Sequence, residues 1–164
     1  MKFNKSKILP ISCICSIYYK TTLKEFVIAL DSLLVQEYIP NEILIIVDGF
    51  IKEDIKTFLK KLIRNEKDII KVFFLKKNIG LGKALRLGTK KCKNPYIARF
   101  DSDDINLEKR LKIQYDFLKN NLNISIIGSN IIEFDSNLKQ LTLKRMSSKD
   151  ELNENNYMLR NPLN

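Results

Sequence analysis

The strongest constraint on the fold is the alternation of aliphatic runs with amphipathic segments along the first 135 residues. The runs at 11–17, 42–47 and 69–75 lack polar alternation, which is typical of strands buried on both faces. Apolar residues recur at helical spacing between these runs, and a capping box at 22–25 predicts the start of the first helix. The pattern predicts an α/β fold with a mostly parallel sheet and helices on both faces.

The same alternation continues into the second half of the chain. A fourth strand over residues 96–100 runs into the acidic turn 101–104 (DSDD), and a helix follows over residues 107–118. Residues 124–134 predict a fifth strand, and a shorter strand is expected around Leu141. The 164 residues contain no repeat and no linker, and this length suits one domain.

The sequence has no histidine, which excludes Ser-His-Asp hydrolysis, Cys-His proteolysis and zinc bound by histidine. Three cysteines without a CxxC pair predict buried thiols in a reducing compartment. Pro10 interrupts the amino-terminal apolar run, and no A-x-A-like cleavage site follows it. No segment reaches the roughly 18 apolar residues of a membrane-spanning helix. We therefore expect a cytoplasmic protein.

The net charge of +10 is concentrated in one quarter of the chain. Residues 52–93 contain 14 Lys and Arg against four acids, whereas the other residues balance. A solvated lysine-rich face explains this excess, and so does a surface that attracts the phosphates of a nucleotide, a lipid head group or a nucleic acid. An anionic membrane leaflet is one such partner. Nucleic acid is not an expected partner, because helix-turn-helix, zinc-finger and RNP-like motifs are absent from the sequence.

Acidic residues directly follow two of the predicted strands. Asp48 ends the second strand, and Asp101, Asp103 and Asp104 follow the fourth. Ligands of an open parallel sheet bind beyond the carboxyl ends of its strands. A turn at Asp48 and a helix cap at Asp104 are the structural alternatives for either residue alone. Three carboxylates within four residues instead predict an all-oxygen site for Mg²⁺ or Mn²⁺ and a diphosphate substrate.

A dinucleotide-binding fold is the main alternative for the glycines of this chain. Gly80 and Gly82 follow a strand and open a helix, and Gly80 precedes Asp101 by 21 residues. Leu85 stands where the third glycine of that motif belongs, and GxG alone is a weak signal. A dinucleotide-binding fold needs only one acid, which binds the ribose, so it does not explain the other acids of the DSDD turn.

Five blocks of sequence carry a more specific pattern: ISCICSIYYKT, EILIIVDG, NIGLGKAL, YIARFDSDDINLEKRLKIQ and ISIIGSNIIEFD. In this order they resemble the nucleotide-binding half of the family-2 glycosyltransferases, which have the Rossmann-like GT-A fold. The DxD element with its upstream YIAR and downstream KRLxxQ is the most specific part. The resemblance implies a single domain over residues 1–164, with a nucleotide-binding core at about 8–135 and an incomplete acceptor-side portion at 136–164.

The resemblance also implies roles for the acids. Asp101 and Asp103 match the DxD pair, so both belong to the metal site, with Asp103 holding Mg²⁺ or Mn²⁺ on the donor diphosphate and Asp101 lying toward the ribose and the metal. Asp48 matches the acid that contacts the nucleotide base.

Three further residues are assigned to the donor site by the same resemblance. Tyr18 lies where the end of the first strand lines the base pocket, and Asn78 and Gly80 match the loop that closes over the nucleoside. The family commonly has a Pro-Thr-Tyr-Asn-like turn after its first strand, whereas this chain has Ser-Ile-Tyr-Tyr-Lys.

The implied reaction is the metal-dependent, inverting transfer of a sugar from a nucleoside diphosphate donor, most simply a UDP-sugar. The expected acceptor is a glycan or a lipid-linked sugar, in polysaccharide or glycolipid synthesis and in peripheral contact with the inner membrane face. The family's catalytic base comes from a later segment, so we expect this chain to lack it; Asp150, Glu151 and Glu154 resemble a solvated helix start. The alternative is a truncated module that binds a nucleotide sugar and transfers nothing.

Overall fold

The computed structural model of the chain describes residues 7–135 and the backbone of residues 140–144. The helices and strands within them are, in chain order, β1 (Ile8–Ile17), α1 (Leu23–Leu34), β2 (Ile39–Val47), α2 (Glu53–Asn65), β3 (Ile70–Phe74), α3 (Leu81–Thr89), β4 (Tyr96–Arg99), α4 (Arg110–Asn120), β5 (Ile131–Phe134) and β6 (Gln140–Lys144). The chain divides into two compact units, Met1–Asp116 and Phe117–Asn164, and each is described by itself. A single domain over the whole chain stays a prediction.

The first unit is built around a four-stranded sheet with the strand order β3-β2-β1-β4. Every pairing in this sheet is parallel: Ile17 lies beside Val47, Val47 beside Phe74, and Ile14 beside Arg99. Helices connect the parallel strands, as the sequence predicts for an α/β fold. The carboxyl ends of all four strands therefore lie at one edge of the sheet.

Alternate residues of the central strands pack on opposite faces of the sheet. Ile45 belongs to a buried core on one face together with Phe26 of α1. Ile46 belongs to a smaller core on the other face together with Ala84 of α3. Because both faces are covered, the central strands are mostly aliphatic and show no regular polar alternation.

The strands β1 and β2 begin three residues earlier than predicted, at Ile8 and Ile39. The register of β1 against β2 shifts between Leu9 and Ser12. Pro10 lies in this interval, and the shift accommodates it because proline has no N–H for a regular ladder. The predicted amino-terminal cap is present, since the Thr22 hydroxyl accepts a hydrogen bond from the Glu25 N–H at 3.3 Å. The Glu25 carboxylate accepts the Thr22 hydroxyl at 2.6 Å and not the Thr22 N–H, so only the cap of the predicted capping box is formed.

A buried polar cluster lies where β2 begins, at the amino edge of the sheet. The fully buried Glu42 carboxylate accepts hydrogen bonds from the Ser12 hydroxyl at 2.5 Å, the Lys71 ammonium at 2.9 Å and the Lys93 N–H at 2.9 Å. Burial alone would raise the pKa of Glu42, but these donors outweigh it and hold the pKa below its usual value. The cluster ties three strands together.

Cysteines 13 and 15 are free and buried in β1. Burial raises the pKa of Cys13 to about 12 and raises the pKa of Cys15 well above its usual value. Cys92 is free and half-buried, and burial raises its pKa as well. All three remain thiols at neutral pH, as predicted for packing residues.

The second unit contains the end of α4 and an antiparallel pair, β5 and β6, in which Ile131 lies beside Lys144. The predicted strand over 124–134 is wrong for its first seven residues, because only Ile131–Phe134 forms a strand. Ile126 is 68% exposed. The aliphatic composition was misleading here, since residues 124–130 pair with no strand in the described part of the chain.

Candidate functional site

The candidate site lies at the carboxyl edge of the parallel sheet. Tyr18 follows β1, Asp48 follows β2, and Asp101 follows β4 after a single intervening residue. The N–H of Asp48 donates to the carbonyl of Ile17 at 2.8 Å, so the pairing of β1 and β2 continues to their very ends. This arrangement is the usual position of a ligand crevice in an open α/β sheet.

Asp48 is 2% exposed, and its carboxylate holds the loop that follows β3. Its Oδ1 accepts the N–H of Ile79 at 2.8 Å and its Oδ2 accepts the N–H of Gly80 at 3.0 Å. The Asn78 side-chain amide donates back to the Asp48 carbonyl at 3.2 Å. The structure thus brings together Asp48, Asn78 and Gly80. The direct contact of Asp48 with a nucleotide base stays a prediction.

Gly49 allows this loop to approach the end of β2. Its φ is +83°, in the left-handed region that favours glycine. A Cβ at this position would lie 2.5 Å from the backbone nitrogen of Asn78. The Asp48-Gly49 pair is therefore both a turn and a packing surface for the loop.

A cavity of about 590 Å³ opens beside this loop, within the range of roughly 300–1,000 Å³ that is usual for small-molecule sites. It combines aromatic, basic and polar side chains, which are Tyr19, Asp48, Phe50, Lys52, Lys76, Lys77 and Asn78. The Phe50 ring is 71% exposed and has the Lys56 ammonium 5.3 Å from its centre. Such a lining suits a flat ring that carries negative charge nearby.

Tyr18 does not belong to the described lining of this cavity. Its ring meets the Tyr19 ring edge to face, with 5.3 Å between the centres, and its N–H donates to the Thr21 hydroxyl at 3.2 Å. Sequence reasoning missed Tyr19 and the aromatic Phe50. The lysines of the lining could have been found, since they belong to the basic quarter of the chain and Lys76-Lys77 directly follow the third predicted strand.

The acidic turn after β4 carries the predicted metal ligands. Asp101 forms an ion pair with Arg99, with 2.6 Å between Nη2 and Oδ2, while Asp103 and Asp104 are exposed. Desolvation raises the pKa of Asp104, and the negative charges of Asp101 and Asp103 raise it further. The turn therefore holds more negative charge than Arg99 neutralises.

Arg110 supports this turn from the start of α4. Its guanidinium donates to the Arg99 carbonyl at 2.7 Å, to the Gln114 side chain at 3.2 Å, and to the Asn106 side chain. Burial lowers the pKa of Arg110, although nearby negative groups oppose that shift. The KRLxxQ motif thus has a structural meaning, because its Arg and Gln bond to each other and fix the end of β4.

A second set of hydrogen bonds attaches the segment after the turn to α1. The buried Asn106 side chain donates to the Ser32 hydroxyl at 3.0 Å. The buried Gln36 side-chain amide donates to the carbonyls of Asn106 at 3.2 Å and Leu107 at 2.7 Å, and its oxygen accepts the Leu111 N–H at 3.2 Å. Sequence reasoning missed this set, because it joins residues that lie about 75 positions apart.

The acidic turn offers two carboxylates, those of Asp101 and Asp103, to a metal ion. Within the described residues, no group of three or more His, Cys, Asp or Glu side chains is arranged to hold a metal ion. Mg²⁺ and Mn²⁺ need less from a protein when a diphosphate supplies further oxygens, since one or two carboxylates are then enough. Asp101 and Asp103 suit a divalent cation that arrives with a diphosphate. The late acids Asp150, Glu151 and Glu154 lie outside the described residues.

The basic segment includes the edge strand β3 and two helices. Within residues 52–93, α2 packs beside β3 on one face of the sheet, and α3 packs on the other face against β1 and β2. All 14 cations of the segment are exposed except the half-buried Lys56. In the part of the chain that the structure describes, no helix is long and apolar enough to cross a membrane.

The comparisons with known proteins agree on one family. The sequence model of "Glycosyl transferase family 2" matches residues 13–163. The amylovoran biosynthesis glycosyltransferase AmsE of Erwinia amylovora is 31% identical over 153 residues, which are 93% of this chain and 56% of that protein. An Escherichia coli enzyme named UDP-Gal:alpha-D-GlcNAc-diphosphoundecaprenol beta-1,3-galactosyltransferase is 34% identical over 126 residues, 77% of this chain and 45% of the enzyme.

Solved structures share the fold. The crystal structure of S. aureus TarS aligns with a TM-score of 0.56 and 25% identity, over 67% of this chain and 19% of TarS. TarS 1-349 in complex with UDP-GlcNAc aligns with a TM-score of 0.56 and 23% identity, over 67% of this chain and 31% of that one. The chain spans about half the length of the curated relatives that it matches.

Proposed function

The chain belongs to glycosyl transferase family 2, and we propose that it binds a nucleoside diphosphate sugar and transfers the sugar to an acceptor hydroxyl. One observation carries the proposal. An aromatic and basic cavity and an acidic turn lie at the same carboxyl edge of a parallel sheet. A nucleoside and a metal-bound diphosphate are the two parts of one donor that such a pair of features accommodates.

The cavity is assigned to the nucleoside and the adjoining phosphates. The rings of Tyr19 and Phe50 offer stacking surfaces for a base, and Lys76 and Lys77 offer positive charge to phosphate oxygens. Asp48 shapes the site through the Asn78 to Gly80 loop that its carboxylate holds. Uridine is the proposed nucleoside, because the E. coli relative is named for UDP-Gal and TarS 1-349 was solved with UDP-GlcNAc.

The acidic turn is assigned to the diphosphate end of the donor. Asp103 and Asp101 would hold Mg²⁺ or Mn²⁺, which when bound neutralises the diphosphate as it leaves. The acceptor oxygen forms a bond to the anomeric carbon while the bond from that carbon to the diphosphate breaks. The acceptor proton passes to a general base. Attack opposite the leaving diphosphate inverts the anomeric carbon, and no residue of the described chain is assigned as the base.

The acceptor is proposed to be a lipid-linked glycan in polysaccharide synthesis. The names of the relatives support this class, since one belongs to amylovoran biosynthesis and another acts on a diphosphoundecaprenol-linked sugar. The exposed cations of residues 52–93 offer a surface for the anionic leaflet in which such lipids lie. Sedimentation with phosphatidylcholine vesicles, with and without phosphatidylglycerol, tests this contact. Equal binding to both vesicle types would exclude an electrostatic membrane contact.

Nucleotide binding is the direct test of the donor site. UDP is expected to raise the melting temperature of the protein more with Mn²⁺ than with EDTA, and Asp103→Asn is expected to remove the difference. Asp68→Asn, an exposed acid in the turn before β3, serves as the matched control. Equal shifts with and without Mn²⁺ in the parent protein would contradict the proposed metal dependence.

Transfer itself needs a separate measurement. A labelled UDP-sugar incubated with lipid-linked and glycan acceptors gives a labelled product if the chain is a complete catalyst. Donor binding without product would favour the alternative, a module that binds nucleotide sugar and lacks the catalytic base. The two results separate the proposed donor site from the catalytic base.

A further inference from the structure

We propose that Arg99 is a counter-ion that exchanges partners: it pairs with Asp101 while no nucleotide is bound, and it pairs with the donor diphosphate once the cation has taken Asp101. This inference rests on the proposed function. It gives Arg99, which follows the pattern YIAR before the acidic turn, a role in donor binding. The YIAR element then works together with the DxD element that it precedes.

The ion pair occupies the whole Asp101 carboxylate. Arg99 Nε lies 3.0 Å and Nη2 lies 2.7 Å from Oδ1, and Nη2 also lies 2.6 Å from Oδ2. A divalent cation binds Asp101 through one or both of these oxygens and carries charge of the same sign as the guanidinium. The cation and the guanidinium therefore compete for Asp101.

The Arg99 side chain is free to leave while its backbone stays in place. The side chain is 42% exposed and has no other hydrogen-bond acceptor among the described residues. The Arg99 carbonyl is fixed by the guanidinium of Arg110 at 2.7 Å. Arg110 is bonded in addition to two side chains, Asn106 and Gln114, so it is the fixed member of the two arginines.

This exchange makes cation binding and nucleotide binding cooperative. A cation that binds alone displaces Arg99 and leaves its charge unpaired beside a second positive ion. A cation that binds with a diphosphate leaves Arg99 a new anionic partner. The affinity for the cation therefore rises when nucleotide is present, and by linkage the affinity for nucleotide rises when the cation is present.

The test measures metal and nucleotide separately on the full chain. Mn²⁺ binding is followed by electron paramagnetic resonance without nucleotide, and UDP binding is followed by calorimetry in EDTA. Arg99→Gln is expected to bind Mn²⁺ about tenfold more tightly, because a unit charge a few ångström from the ion is removed. The same variant is expected to bind UDP in EDTA about tenfold more weakly, because Asp101 is no longer neutralised.

Two further variants separate the effect of Arg99 from a general effect of charge. Arg64→Gln makes the same change of charge in the last turn of α2, at the amino edge of the sheet, and should leave both affinities within twofold. Arg99→Lys keeps the charge without the two-point geometry, so its UDP affinity should lie nearer to that of the parent than the Arg99→Gln value does. Circular dichroism and melting temperature establish that each variant is folded.

The results distinguish this inference from the proposed function. If the parent binds UDP and Mn²⁺ while Arg99→Gln matches Arg64→Gln in both measurements, the role of Arg99 is overturned and the donor site stands. If the parent binds no UDP under either condition, the proposed function itself is refuted. Tighter Mn²⁺ binding together with weaker UDP binding in Arg99→Gln supports the exchange. If Arg99→Gln does not fold, Arg99→Met, which also removes the charge, takes its place in both measurements, and the same two outcomes support or overturn the inference.

Discussion

Asp48→Asn is expected to destabilise the protein by about 2 kcal/mol. The asparagine keeps one oxygen for the loop but turns an NH₂ group toward the N–H of either Ile79 or Gly80, which the carboxylate now binds at 2.8 and 3.0 Å. One hydrogen bond to a charged acceptor is lost, which is worth about 1.5–3 kcal/mol. Because Gly80 is exposed and Ile79 is half-buried, water can reach whichever N–H is freed, and the lower half of that range applies.

Urea unfolding measures this loss as a lower midpoint at an unchanged slope. Asp68→Asn is the control, since Asp68 is an exposed acid whose replacement should stay within about 0.5 kcal/mol of the parent. UDP affinity should fall together with stability, because the loop that holds Asn78 lines the cavity. Equal midpoints for Asp48→Asn and Asp68→Asn would refute the assignment of the carboxylate to the loop. A normal UDP affinity in a destabilised variant would show that the loop does not contact the nucleotide.

Four other substitutions test the contacts around the sheet. Gly49→Ala should cost about 2 kcal/mol or more and weaken UDP binding, because it combines a φ of +83° with a Cβ 2.5 Å from a backbone nitrogen; a parent-like urea midpoint would contradict this. Gly88→Ala should cost about 1 kcal/mol, because the new Cβ crowds the side chains of Ile14 and Ile46, with Ile46 Cγ1 at 2.9 Å, and this outweighs the gain in helix propensity. Gly82→Ala in the same helix meets nothing within 4 Å and should stabilise. Glu42→Gln should lose about 2 kcal/mol at pH 7. Because the pKa of Glu42 is lowered in the folded state, the parent should lose this advantage as the pH falls below about 5, and a difference that stays constant down to pH 3 would exclude the linkage.

The sequence predicted the fold through features that act locally or through the sheet as a whole. Aliphatic runs marked the four parallel strands, and the Thr22 hydroxyl caps α1 as expected. The acids were predicted at one edge because the carboxyl ends of parallel strands share it. Their individual contacts were not predictable in this way, since the carboxylate of Asp48 is used by a loop about 31 residues away.

Other features depend on contacts that no local pattern encodes. Residues 124–130 are as aliphatic as a strand, but whether they form one depends on a partner strand, and they pair with none in the described part of the chain. The hydrogen bonds of Ser32 and Gln36 to the segment after the acidic turn join opposite ends of the first unit's sequence. The pairing of Arg99 with Asp101 depends on a side-chain torsion, and the sequence alone offers several other partners for either residue.

The bonds between Gln36 and residues 106–111 also explain how a turn crowded with like charges keeps one shape before any ligand arrives. Repulsion among neighbouring carboxylates works to open such a turn, and its own short backbone supplies little resistance. The resistance comes from the twelve-residue helix α1, because its Ser32 hydroxyl accepts hydrogen bonds from Asn106 and its Ser32 carbonyl holds the Gln36 amide, which in turn binds residues 106–111. Loosening of the first helix, which is far from the acids in sequence, would therefore disturb the acidic turn.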